Sequence, residues 1–367
     1  MSIERVILSG GGTGGHIFPA LAIANEIRNR YPTAEILFVG ALGRMEMEKI
    51  PAAGYKIIGL PIIGFPRRLG FKTITFFVKL FKSISLAVKI VNGFNPQIAI
   101  GVGGYASGPL LWAAARKKVP TLIQEQNSYA GVTNKILGKK ANVICVAYDN
   151  MERFFPSDKI VFTGNPVNAN LFKNCSDKTE ALVYFGLQET GKVILITGGS
   201  LGARSINDAV LKNIDLMAKS GIQIIWQTGA LYYERIIKEL EGKKPINLQI
   251  HQFISRMDLA YQVADVVIAR AGAGTISELC LLGKPSILVP SPNVAEDHQT
   301  KNARALVEKE AALMIRDDEI DEKLLSEAIQ LINDEIKCSR LSAQIKTLAK
   351  PNATKDIVCE VEKILHK

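Results

Sequence analysis

The chain has 367 residues, 47% of them hydrophobic, and carries 45 Lys and Arg against 35 Asp and Glu for a formal charge of +10. That length is too great for one small core and predicts two domains, and the apolar content excludes a disordered chain. The charge suits an anionic membrane surface or a phosphorylated substrate, but no zinc-finger spacing or aromatic-rich RNP-type strand accompanies it, so nucleic acid is not an expected partner. Five scattered cysteines, Cys145, Cys175, Cys280, Cys338 and Cys359, form no Cys-x-x-Cys pair and fit a reducing cytoplasm. With no signal-peptide run at the start and no window of about 18 uncharged apolar residues, a soluble or peripheral protein is expected.

Arg5-Val6-Ile7-Leu8-Ser9 reads as a buried strand, Gly10-Gly11-Gly12-Thr13-Gly14-Gly15-His16 as a turn that side chains would obstruct, and Ile17 onward as a helix. Pro19 suits the helix's first turn, and Phe18, Leu21, Ala24 and Ile27 fall on one predicted face. A strand running through glycines into a helix start gathers unpaired N–H groups at the positive end of the helix dipole, and such a spot attracts phosphate. His16 adds an ionisable ring at its mouth, the reading preferred here over a helix-start histidine that only fills space.

Residues 34–40 read as a second strand. Gly10, Gly12 and Gly15 satisfy Gly-x-Gly-x-x-Gly, but a dinucleotide site wants an acidic residue after that strand, where Gly40-Ala41-Leu42-Gly43 stands. A nicotinamide is therefore not expected. Residues 61–71 form a Gly- and Pro-containing loop in which Ile62, Ile63, Phe65, Leu69 and Phe71 surround Arg67 and Arg68, a mixture suited to an anionic bilayer surface. The following helix places Ile74, Phe77, Phe81, Ile84, Val88 and Val91 on one stripe, read as core-facing, opposite Lys72, Lys79, Lys82 and Lys89.

Further strands are expected at Gln97–Ile100, before Gly101-Val102-Gly103-Gly104, and at Val119–Ile123, before Gln124-Glu125-Gln126-Asn127, then at 142–146 and 160–162. Thr163-Gly164-Asn165-Pro166 breaks the pattern, giving domains of 1–163 and 168–350, with a helix at 353–367 expected to return to the first. The strand, glycine turn and helix grammar then restarts at 192–207 and recurs at 265–278, so two phosphate-competent α/β domains with a cleft between them are expected. Glu278, three residues after Thr275, could accept hydrogen bonds from the adjacent hydroxyls of a ribose; position alone equally allows a glutamate that complements the helix dipole. No Asp-x-Asp is present to hold a metal, so a leaving diphosphate would be met by helix N-termini and the hydroxyls of Ser200 and Thr275.

The run Gly10–Ala20, with Gly101-Val102-Gly103-Gly104-Tyr105, Glu125-Gln126-Asn127, Gly164-Asn165-Pro166, Gly198-Gly199-Ser200, Arg270-Ala271-Gly272-Ala273 and His298-Gln299, resembles the bacterial MurG family over the whole chain. That resemblance implies a GT-B fold of two Rossmann-like domains and an inverting transfer of N-acetylglucosamine from UDP-N-acetylglucosamine to lipid I, the undecaprenyl-diphosphate-linked muramyl pentapeptide, giving lipid II. It implies peripheral attachment at the cytoplasmic face of the inner membrane, no cofactor, and other cell-wall and division proteins as further partners.

By the same resemblance uracil would lie against the backbone of Ile254, ribose on Glu278, diphosphate near Ser200, Ala273, Gly274 and Thr275, and the sugar near Gln299 and Asn127. Thr13, Gly14 and Gly15 would close over the donor. Asn168 is a donor-side candidate where relatives often carry a basic residue. His16 is the first choice of general base, since an unshifted imidazole is half neutral near about pH 6.5, and Glu125 is its rival. A UDP-N-acetylglucosamine 2-epimerase and a non-catalytic membrane-bound scaffold are the alternatives.

Overall fold

The computed structural model describes residues 2–65, 70–167 and 178–366, which form two units, Met1–Asn168 with Lys350–Lys367, and Ala169–Ala349. In the first, β1 (Arg5–Gly10), β2 (Glu35–Ala41), β3 (Lys56–Leu60), β4 (Ile98–Gly103), β5 (Thr121–Glu125), β6 (Val143–Val146) and β7 (Ile160–Phe162) make a parallel sheet of order β3-β2-β1-β4-β5-β6-β7. In the second, β8 (Val193–Thr197), β9 (Gln223–Gln227), β10 (Leu248–His251), β11 (Val266–Ala269), β12 (Ser286–Leu288) and β13 (Leu313–Met314) take the order β10-β9-β8-β11-β12-β13, again parallel. A parallel sheet is covered on both faces, and β4, β5, β8 and β9 accordingly bury every residue. The edge strands β3 and β13 lack that apolar continuity and have no clear sequence signal.

In each sheet the strand order reverses beside the first strand, at β1/β4 and at β8/β11. Connections leaving the two strands then pass to opposite faces, opening a crevice at their carboxyl ends. At β1/β4 the register slips after Ser9, so Gly10 pairs with Gly103 and the two glycine loops leave the sheet together.

The helix Gly14–Arg30 buries Ile17, Ala20, Ile23, Ala24 and Ile27, while Phe18 is 54% exposed, so the predicted face is displaced. The reason is close packing: a Cβ on Gly10 would meet that of Ala20 at 2.8 Å, and only small side chains allow this approach. The helix Phe71–Phe94 differs from expectation in the same manner. Its inward side runs through Ser83, Ala87, Ile90 and Val91, whereas Ile74, Phe77 and Phe81 are exposed. An apolar stripe records which residues avoid water, not which surface they meet.

The terminal helix Ala353–Leu365 packs on Gly14–Arg30, with Ile357, Val358 and Val361 buried among Ile17, Ile23 and Ile27. Glu362 accepts from both Arg30 at 3.1 Å and the Tyr31 hydroxyl at 3.0 Å. Gly164, at φ +87°, lies against Lys350 where the chain re-enters this unit, so the Gly-Asn-Pro turn serves packing as well as punctuation.

Candidate active site

The first crevice is built where β1, β4 and β5 end. His16, in the first turn of its helix and half-buried, sets Nδ1 at 3.0 Å from the Gly11 carbonyl. A carbonyl only accepts, so Nδ1 carries the proton and Nε2 is the basic nitrogen of the neutral ring. The ring lies against Gly103, whose φ is +108° and where a Cβ would stand 2.6 Å from Cδ2 and 2.7 Å from Nε2. Gly104, at φ +89°, touches the Gly11 backbone in turn. Thr13 precedes the helix without capping it, which leaves the amides of Gly14 and Gly15 without an intrahelical acceptor.

A residue that the sequence reading missed lies beneath this loop. Glu46, 1% exposed at the start of Glu46–Ala52, accepts from the Gly12 amide at 2.8 Å and the Ala41 amide at 3.0 Å. A Cβ at Gly11 would collide with this carboxyl, and one at Gly40 with the Glu46 stem and Ile57. The glycines therefore make room for this buried carboxyl, and the Gly12 N–H turns toward it. The only signal for Glu46 is its place in the first turn of a short helix, which many surface glutamates share.

Glu125, at the end of β5 and 2% exposed, accepts four hydrogen bonds: Asn127 N at 3.1 Å and Nδ2 at 3.3 Å on one oxygen, Gly131 N at 3.1 Å and Asn134 Nδ2 at 2.8 Å on the other. Asn127 is thereby held against Glu125. Beside it the buried amides of Gln124, Gln126 and Asn165 interlock: Gln124 donates to Asn165 at 3.0 Å, Asn165 to the Gln126 carbonyl at 3.0 Å, and Gln126 to the Val102 carbonyl at 2.7 Å.

In the second unit, Ser200 is exposed on the loop after β8. That loop is fixed by Gln227, 4% exposed, which donates to Thr197 Oγ1 and the Gly199 carbonyl, each at 3.1 Å, and accepts from the Ile254 amide at 2.8 Å. Gln227 was not singled out by motif, yet it joins two expected donor-side segments. The helix Ala273–Leu282 starts at Gly272, which has no side chain to cap it, so the terminus around Gly274 and Thr275 keeps the anion preference of a helix start. Glu278, one turn further, accepts from the Tyr261 hydroxyl at 2.9 Å, and burial pushes its carboxyl up to about 7 while that hydrogen bond opposes the rise.

Arg270 is consumed internally. It donates to the Val289 and Pro290 carbonyls at 3.2 Å, to Asp317 at 2.5 Å and to Ser205 at 2.7 Å, bracing the loop rather than facing a ligand. Gln299 accepts from the Ser291 amide at 2.9 Å.

Of the expected membrane contacts, Phe65 is 58% exposed and Ile63 half-buried, but Ile62 is a correction: at 5% exposure it belongs to the core with Leu60 and Leu110. Arg67, Arg68, Leu69 and Asn168, and the side chain of Phe71, lie outside the described residues. Phe65, Phe76 and Phe77 form an edge-to-face aromatic cluster, with centroids 5.1 and 5.4 Å apart, beside exposed Ile74 and Phe81. No helix among the described residues is long and apolar enough to cross a membrane.

Residues 6–146 match the N-terminal domain of glycosyltransferase family 28, and residues 193–358 match its C-terminal domain. The chain is 57% identical over 363 residues to the UDP-N-acetylglucosamine–N-acetylmuramyl-(pentapeptide) pyrophosphoryl-undecaprenol N-acetylglucosamine transferase of Parabacteroides distasonis, covering 99% of each chain. The chain belongs to the MurG family. A Bacteroides thetaiotaomicron protein of the same name is 55% identical, over 98% of this chain and 97% of its own. The crystal structure of Acinetobacter baumannii MurG matches with a TM-score of 0.78 at 28% identity, over 98% and 99% of the two chains. A UDP-GlcNAc 2-epimerase from Neisseria meningitidis, with a TM-score of 0.67 and 17% identity over 98% and 100% of the chains, shares the fold alone. The two parallel sheets are thus the Rossmann-like pair of the GT-B fold, as in MurG.

The bonding of Glu125 generates a stability prediction. Glu125→Gln replaces one acceptor oxygen with an NH₂ group that faces N–H donors, and should destabilise the loop by about 1–3 kcal/mol. Denaturant unfolding and amide exchange at Gly131 would register it; unchanged values would show that the four contacts do not hold the loop.

Proposed function

We propose that this chain is an inverting glycosyltransferase that moves N-acetylglucosamine from UDP-N-acetylglucosamine to the C4 hydroxyl of the muramyl sugar of lipid I, forming lipid II for peptidoglycan. The observation that carries the donor half is the open helix start at Gly272 with Glu278 one turn inside it. Thr275 and Glu278 are separated by a rise of roughly 4.5 Å, a spacing suited to neighbouring phosphate and ribose groups. The acceptor half follows the name that the Parabacteroides and Bacteroides relatives share.

The uncapped amides and the Ser200 and Thr275 hydroxyls stabilise the diphosphate as its negative charge grows. Glu278 accepts from the ribose hydroxyls. Because the Ile254 amide donates to Gln227, uracil reads this backbone through the Ile254 carbonyl. Gln299 and Asn127 remain the sugar-side candidates. The O4–C1 bond forms as the bond from C1 to the phosphate oxygen breaks, the electron pair leaves with UDP, and the configuration inverts from α to β. His16 Nε2 takes the hydroxyl proton, supported by the Nδ1 contact that makes Nε2 the basic nitrogen. Four donors on Glu125 support a loop-holding role for that carboxylate.

Exposed Phe65, Ile74, Phe77 and Phe81 with Lys82 on the same helix support peripheral attachment to an anionic bilayer. The partners on this reading are the UDP-sugar, the lipid acceptor and that membrane surface.

UDP release should require a lipid I analogue and accompany a β-linked disaccharide, and His16→Ala should slow it by about 10² to 10⁴. Acceptor-independent release would sink the transferase reading, and full turnover in the variant would remove His16 as base. UDP binding should also depend on pH. The ionised Glu278 is the form that accepts two hydroxyls, and its carboxyl lies at about 7, so affinity should be greatest above that pH and fall by up to about tenfold per unit below it. Calorimetry should record proton release on binding near pH 6, about one unit below that value, and Glu278→Gln should abolish it; a pH-independent affinity would discard the assignment. Finally, Phe77→Glu with Phe81→Glu should weaken binding to vesicles containing anionic phospholipid by about tenfold or more, leaving UDP affinity unchanged. Unaltered vesicle binding would place the membrane contact elsewhere.

A further inference from the structure

The Gly11–Gly12 peptide group is held from both ends. Its carbonyl accepts from His16 Nδ1 at 3.0 Å, and its N–H donates to Glu46 at 2.8 Å. The other oxygen of Glu46 accepts from the Ala41 amide at 3.0 Å, so two N–H donors meet two carboxylate oxygens in a site 1% exposed. Glycines at 11 and 40 make the space for this carboxylate, and Gly103 makes the space for the imidazole.

We infer that Glu46 is a positioning residue for His16, acting through the Gly11–Gly12 peptide bond. A carboxylate accepting from a peptide N–H draws electron density toward the carbonyl oxygen of the same unit. That oxygen becomes a stronger acceptor for Nδ1–H, because hydrogen bonds in series polarise one another in a low-dielectric interior. The arrangement is a carboxylate–imidazole pair with one peptide group inserted. It fixes the tautomer with Nε2 as base, holds the ring against Gly103, and stabilises the imidazolium formed when Nε2 takes a proton. The carboxylate acts through the peptide group and touches no substrate, as the carboxylate in the direct pairs of serine hydrolases orients the imidazole without touching substrate.

This inference rests on the reading of His16 as general base, and a double-mutant cycle separates the two. His16→Ala, Glu46→Gln and their combination would be compared in acceptor-dependent transfer, with UDP binding as the check that each variant is folded. Glu46→Gln should lower kcat by about tenfold or more with donor KM within about twofold, since it leaves the donor contacts in place. In the His16→Ala background the same change should cost nothing further. An equal loss in both backgrounds would show that Glu46 only props the loop and would overturn the inference. Full turnover of His16→Ala alone would overturn the base assignment, and the Glu46 role with it. Nitrogen NMR of the unmutated protein supplies a reading that survives if Glu46→Gln fails to fold: His16 should be the Nδ1–H tautomer and the Gly12 amide slow to exchange. An Nε2–H tautomer, or a Gly12 amide exchanging at the rate of an unfolded chain, would overturn it.

Discussion

Backbone touching backbone is the constraint on which the glycine loops of both units depend. Gly104 meets Gly11 where β1 and β4 end, and Gly202 meets the Thr228 carbonyl and Gly229 where β8 and β9 end. None of these contacts has room for a Cβ. The first contact lies where its sheet reverses its strand order, at β1/β4, so there the loops that part to form a crevice also touch; the second joins the loops after β8 and β9, beside the β8/β11 reversal. Buried amide side chains then fix the loops: Gln126 and Asn165 in the first unit, Gln227 in the second. Buried amides of this kind specify one arrangement because any other leaves a donor or acceptor without a partner.

Loops of similar sequence serve opposite electrostatic purposes in the two units. The helix start at Gly272 has no capping side chain and keeps the positive end of its dipole for an arriving anion. The first loop already encloses the Glu46 carboxyl, which turns the Gly12 amide inward. Its glycines consequently make room for the Glu46 carboxylate and the His16 ring. Glycine spacing alone does not distinguish these uses, because both require a bare backbone and differ only in which side chain fills the space beneath it.

Legibility in the sequence followed how local each signal was. Strands buried on both faces read clearly, as Val6–Leu8 and Ile194–Ile196 do, and so did the glycine turns after them. The inward faces of two helices did not. Ala20 rather than Phe18 approaches the sheet, because Gly10 admits only a small partner, and the Phe71–Phe94 helix turns Ile74, Phe77 and Phe81 outward while Ala87 and Ile90 pack inward. Ile62 was grouped with a surface loop by its neighbours but fills the core. Glu278 was legible as a candidate from its spacing to Thr275, whereas its partner Tyr261, seventeen residues earlier, was not.

By itself the sequence determined that this chain forms parallel α/β units, where its glycine turns fall, and which family it joins, because hydrophobic runs, glycine clusters and ordered motifs are properties of neighbouring residues. Tertiary structure alone decided the jobs of three acids. Glu125 meets donors from the residues that follow it, Glu46 reaches back across 34 positions to Gly12, and Glu278 is pushed toward neutrality beside Tyr261. A carboxylate's chemistry is set by what removes its water and what donates to it, and the fold decides both, from the next turn of chain for Glu125 and from farther along the chain for Glu46 and Glu278.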